Sequence, residues 1–124
     1  MSPKAQKIAY YLSTGLLTAL MLFSAGMYFT KTEMVKGFFT ALGFPTWLVI
    51  PLAVAKLLGL AAIWSKVSNW LKEWAYAGFF FDVVLAATAH TMADDGGAGM
   101  AFAGMLFVAA SYYFDGKVFG NAAA

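Results

Sequence analysis

The sequence predicts an all-α membrane protein built as an antiparallel four-transmembrane-helix bundle, with a short interfacial helix between helices 1 and 2. Three observations carry this expectation. The chain is 62% hydrophobic and only 11% charged, whereas soluble domains carry about 25% charged residues. Its apolar residues fall into four runs, each near the ~17–25 residues that cross a hydrocarbon core as a helix. The links between the later runs are short, which makes consecutive helices antiparallel neighbours. One domain, 1–124, is expected, with helices at about 8–29, 46–64, 74–92 and 97–114.

The first run follows a basic start, Lys4 and Lys7. Its apolar stretch is longer than a signal-peptide core, and no small-x-small site precedes a soluble domain, so it reads as a retained helix. A segment of about 33–42 comes next. Thr32 is placed to cap it and Glu33 suits its first turn. Met34, Val35, Phe38, Phe39 and Leu42 recur at helical spacing, and Gly43 and Pro45 end it. It reads either as a plug over the bundle or as a gate above a ligand site. The second run, PTWLVIPLAVAKLLGLAAIW, contains Pro51, whose missing amide hydrogen predicts a kink. Ser65–Lys72 is expected to be a loop leading into the third run, WAYAGFFFDVVLAATAH. The fourth run is generic, and the tail from Gly120 to Ala124 is expected to fray.

Lysines set the expected topology. Lys4, Lys7, Lys66, Lys72 and Lys117 fall on one side, and Lys31 and Lys36, with Asp94 and Asp95, on the other. The positive-inside rule then places both termini in the cytoplasm. Aromatic residues agree. Tyr10, Tyr11, Trp64, Trp70, Trp74, Tyr112 and Tyr113 mark the inner interface, and Tyr28 and Trp47 the outer one.

The composition excludes several function classes. With no cysteine there is no disulfide framework, CxxC redox pair or thiolate metal site. All eight basic residues are lysines, with no basic arm, so nucleic acid is not an expected partner. One histidine and dispersed carboxylates give no metal-ligand spacing, and no metal is expected. No nucleotide loop or nucleophile motif is present.

The candidate site lies inside the bundle. Lys56 and Asp82 each sit in an apolar run, and each is eight positions from a tryptophan, Trp64 and Trp74 respectively. If both tryptophans mark one interface, both charges lie about 12 Å below it on consecutive antiparallel helices. Ionisable groups at that depth are costly and are paired or functional. Lys56 and Asp82 therefore read either as an ion pair that locks helix register or as a ligand and proton-handling pair. His90, about two turns beyond Asp82, is either an interfacial histidine bonded to Tyr28, Asp94 or a loop carbonyl, or a group at the outer mouth of a pocket. Thr18 on the first helix is expected to lie level with the pair, with back-bonding to its own helix as the alternative. Gly59 and Gly78 are expected at close helix contacts. Phe79, Phe80 and Phe81 read as core or lipid-facing residues, or as a stacking surface for a ring.

Three stretches resemble the DoxX-like family of small four-helix bacterial membrane proteins. They are STGLLTALMLFSAGMY; LGFP with AKLLGLAAI; and LKEWAYAGFFFDVVLAATAH, which carries Glu73, Tyr76, Gly78, Asp82 and His90. The resemblance implies four transmembrane helices in a bacterial inner (cytoplasmic) membrane. It also implies two kinds of role. One is a redox-associated subunit binding a quinone or another apolar, lipid-soluble ligand, beside membrane oxidoreductase subunits or as a homo-oligomer. The other is a non-catalytic assembly, chaperone or interaction subunit for other membrane proteins. A transporter is a weaker third reading, since only Pro51 hints at a broken helix.

Overall fold

The computed structural model describes residues 1–93, 96 and 98–120. Among them every long element is helical. The helices are α1 (Pro3–Thr30), α2 (Thr32–Ala41), α3 (Val49–Ser65), α4 (Asn69–Ala93) and α5 (Ala98–Phe119), with a 3-10 turn at Thr46–Leu48 before α3. The segments Pro3–Thr30, Thr46–Ser65 and Asn69–Met92 are long and apolar enough to cross a membrane. The expected frayed tail beyond Gly120 and the expected partner Asp94 fall outside the described residues.

Capping explains where the helices start. The Ser2 hydroxyl accepts from the Ala5 amide at 3.1 Å, and Pro3 opens the first turn with its φ already set. Helix α1 therefore begins five residues earlier than hydropathy alone predicts. Ser68 does the same for α4, accepting from the Leu71 amide at 3.3 Å. The expected loop 65–72 thus shrinks, and Trp70 and Lys72 join the helix. Helix α3 ends at Lys66, whose backbone takes a left-handed φ of 54° while its amide donates to the Ala62 carbonyl at 3.3 Å. Helix α5 runs to Phe119, five residues past the expected end.

One local expectation is corrected. Thr32 does not cap α2: its hydroxyl donates back to the Tyr28 carbonyl at 2.8 Å and closes the end of α1 instead. Pro51 falls in the first turn of α3, which starts at Val49, so its missing amide hydrogen breaks no bond within that helix. The end of α2 follows expectation. Gly43 adopts a φ of 83°. The Phe44 amide reaches the Phe39 carbonyl at 2.8 Å and the Gly43 amide reaches Thr40 at 3.1 Å. The Phe39 and Phe44 rings meet edge-on at 5.9 Å, adding the apolar contact of a Schellman stop.

Helix α1 packs against α3 and α5, and α4 packs against the same two, so the four long helices close a ring. Their buried residues recur at alternating steps of three and four. The stripes include Tyr10, Thr14, Leu17 and Met21 on α1; Ala53, Lys56, Leu60 and Ile63 on α3; Tyr76, Phe79 and Val83 on α4; and Gly104, Val108, Ser111 and Asp115 on α5. That spacing keeps one stripe facing the neighbours along the whole helix. Contacts run in opposite senses on adjacent helices: Ser24 meets Lys56 while Thr18 meets Trp64, and Leu20 meets Gly104 while Thr14 meets Ser111.

Glycine fits the packing in one of the two expected places. A Cβ at Gly59 would lie 2.8 Å from Cζ of the buried Phe79 ring, so glycine admits that ring between α3 and α4. At Gly78 a Cβ would meet nothing within 4 Å, because the residue sits off the buried stripe on the exposed side of α4. The expected role of Gly78 in packing is therefore wrong. Gly104 is the second packing glycine, with Leu20 and Val83 side chains at 2.9 and 3.0 Å from the Cβ position.

Candidate functional site

Outside the apolar core, between the ends of α1, α3 and α4 nearest α2, lies a cavity of about 510 Å³. Helix α1 contributes Ser24 and Tyr28, α3 contributes Lys56, and α4 contributes Asp82 and His90; Val35 and Phe39 of α2 close it from above. Its remaining walls are apolar. The Lys56 ammonium donates to Ser24 Oγ at 2.6 Å and lies 4.0 Å from the centre of the Tyr28 ring. Its distance to Asp82 Oδ2 is 3.8 Å, a charge pair longer than a hydrogen bond. The two ends differ in exposure: the lysine side chain is 6% exposed and the aspartate 28%, the latter opening into the cavity.

The structure thus brings Lys56, Asp82 and His90 to one space. Thr18 is not part of it. Its hydroxyl donates to the Thr14 carbonyl at 2.7 Å and accepts from Trp64 Nε1 at 2.8 Å, away from the cavity. Ser24, six positions further along α1, occupies the place expected for Thr18 beside Lys56. Phe79 of the aromatic triplet is core, and Phe80 and Phe81 are exposed.

A second polar cluster, at the other end of the bundle, was not expected. Asp115 of α5 is fully buried and receives Lys72 Nζ at 2.6 Å and Lys66 Nζ at 3.3 Å. Lys66 also donates to the Tyr10 hydroxyl at 2.6 Å and the Ile63 carbonyl at 3.0 Å. One turn away Ser111 joins Thr14 at 2.5 Å and the Tyr76 hydroxyl at 2.7 Å. The network therefore ties together α1, α4, α5 and the end of α3. The available signal was Ser111 and Asp115, four apart in an apolar run and hence on one helix face. From sequence, Lys66 and Lys72 read only as topology markers.

The two polar layers are separated by Leu17, Met21, Leu60, Phe79, Val83 and Val108, which pack as one apolar cluster. This division suits a medium in which apolar burial gives little drive for helix association. The inner network supplies directional contacts between helices, and the outer layer keeps open space beside its charges. Among the described residues no group of three or more His, Asp or Glu side chains is gathered to hold a metal ion.

No curated protein and no solved structure matches the chain. Residues 12–112 match the DoxX-like family, a span that takes in Ser24, Lys56, Asp82, His90 and most of the inner network. With its long apolar helices, the chain is an integral, multi-pass membrane protein and belongs to the DoxX-like family.

Proposed function

We propose that the protein binds a quinone-like or other lipid-soluble ligand within the bundle, as part of membrane redox metabolism. The observation that carries this reading is the cavity. About 510 Å³ of mostly apolar space, with Lys56, Asp82, Ser24 and His90 on its wall, matches the usual make-up of a small-molecule site: apolar walls with a few convergent polar groups. Lys56 donates to an oxygen of the ligand's head, Asp82 orients Lys56 and accepts protons, and His90 serves the outer mouth. The chain has no cysteine, so electrons reside on the ligand and pass to a partner oxidoreductase subunit.

In this reading α5 crosses the bilayer as a fourth span, since it packs against both α1 and α4. Helix α2 lies at the outer surface as the roof of the site. Both termini face the cytoplasm of a bacterial inner membrane, on the side richer in lysine.

The test is extraction of apolar compounds from protein purified in mild detergent, followed by mass spectrometry. Wild type retains a ring-bearing apolar ligand. Lys56→Met and Asp82→Asn, checked by gel filtration for an unchanged profile, lose most of it. A wild-type protein that retains none, even after incubation with quinone-bearing membranes, refutes the reading.

A further inference from the structure

We infer that the ligand's head presents a hydroxyl to both Lys56 and Asp82, and that its tail leaves the bundle between α2 and α4. The inference rests on the reading of the outer cavity as a ligand site and narrows the chemistry that fits it.

The head follows from the gap in the pair. Lys56 has only donors and the Asp82 carboxylate only acceptors. One lysine hydrogen is committed to Ser24 Oγ at 2.6 Å, while Asp82 Oδ2 stands 3.8 Å from the ammonium. At that separation the charges attract without closing a good hydrogen bond, and both groups line the cavity. A neutral atom that contacts both must accept from Lys56 and donate to Asp82. A hydroxyl does both. A carbonyl or ether oxygen satisfies only the lysine and turns its lone pairs toward the carboxylate. Between the two redox forms of one quinone ring, the site therefore selects the quinol.

The tail follows from a second cavity of about 300 Å³, which shares Leu42, Phe44, Leu85 and Ala89 with the first. It continues to Thr88 and Met92, both exposed, on a segment of α4 that is apolar enough to lie in the membrane. The packing of α2 is against α1, α3 and the 3-10 turn. The seam between the end of α2 and α4 is thus apolar-walled, continuous with the head site and open to lipid. An alkyl chain passing through it stays in contact with apolar surface along its path.

The experiment measures binding of decylubiquinol and decylubiquinone, which differ only in redox state, and of the same hydroquinone ring without a tail. Protein in lipid nanodiscs is titrated anaerobically and read by native mass spectrometry. Wild type is expected to prefer decylubiquinol by at least about tenfold, because a site built to pair a hydroxyl discriminates strongly against a group that cannot donate. Asp82→Asn offers a donor where the carboxylate accepted, so the preference moves toward decylubiquinone; Asp82→Glu retains the quinol preference. Thr88→Trp, on the outer wall of the seam, weakens the decyl compounds and leaves the tail-less ring unchanged. Equal or tighter binding of decylubiquinone by wild type overturns the hydroxyl assignment while the ligand site stands. An unchanged decylubiquinol affinity in Thr88→Trp overturns the tail route. Failure of all three probes to bind removes the ligand site itself and the inference with it.

Discussion

Replacing Asp115 by alanine removes the carboxylate at the centre of the inner network. Lys72, with a side chain 2% exposed and its ammonium 2.6 Å from Oδ1, then keeps a buried charge without that counterion. Lys66 is less affected, since its side chain is 24% exposed and keeps the Tyr10 hydroxyl and Ile63 carbonyl. Breaking one side of a buried pair costs about 3–5 kcal/mol. The lower figure applies here, because Lys72 stands near the helix start and its long stem allows partial escape toward water. A loss of about 3 kcal/mol is roughly 150-fold in the unfolding equilibrium. The assay is unfolding in mixed micelles with rising dodecyl sulfate, followed by tryptophan fluorescence. The double variant Asp115→Leu/Lys72→Met removes both charges together and is expected to recover most of the loss, since apolar replacement of a whole buried pair is near neutral. A single variant within about 1 kcal/mol of wild type, or a double variant less stable than the single, refutes the reasoning.

Gly59→Ala forces the buried Phe79 ring aside and is expected to cost about 1–3 kcal/mol of stability by overpacking. Gly78→Ala meets open space and is expected to be neutral or to gain up to about 1 kcal/mol from helix propensity; the same unfolding assay compares them. Ser111→Ala removes the shared partner of Thr14 and Tyr76 and is expected to lower stability by about 1 kcal/mol, since interhelical polar contacts in membrane proteins average about 0.6 kcal/mol each. Because the chain lacks cysteine, single replacements report topology directly. A membrane-impermeant maleimide added to intact cells is expected to label Lys36→Cys and to leave Lys7→Cys and Lys117→Cys unmodified, and the reverse pattern would invert the proposed orientation.

Much of the outer site was legible in the sequence because charge in an apolar run is expensive and conspicuous. Lys56 and Asp82 were paired from their distances to Trp64 and Trp74 alone, and they stand 3.8 Å apart. What spacing could not supply was the register of α1 against α3, which is set by side-chain packing along the whole helix; Ser24, not Thr18, faces the pair. Asp115 escaped because hydropathy ended the last helix before it. Lys66 and Lys72 escaped because a lysine beside a loop reads equally as an interfacial charge or a buried one. Gly78 failed for a different reason: small size permits close approach but does not dictate it, and one position off the buried stripe is enough to point a helix residue at lipid.

The apolar layer between the two polar ends has an electrical consequence. Among the described residues, the packed apolar side chains of Leu17, Met21, Leu60, Phe79, Val83 and Val108 lie between the Lys72–Asp115 end and the Lys56–Asp82 end. A proton released at the outer pair has its polar neighbours, Ser24, Tyr28 and His90, all on the outer side of that layer. On the proposed reading, its exchange is with the aqueous phase beyond α2. Oxidation of the proposed ligand in this cavity would then acidify one compartment without carrying charge through the protein, and any contribution to the membrane potential would rest on where the proposed partner delivers the electrons.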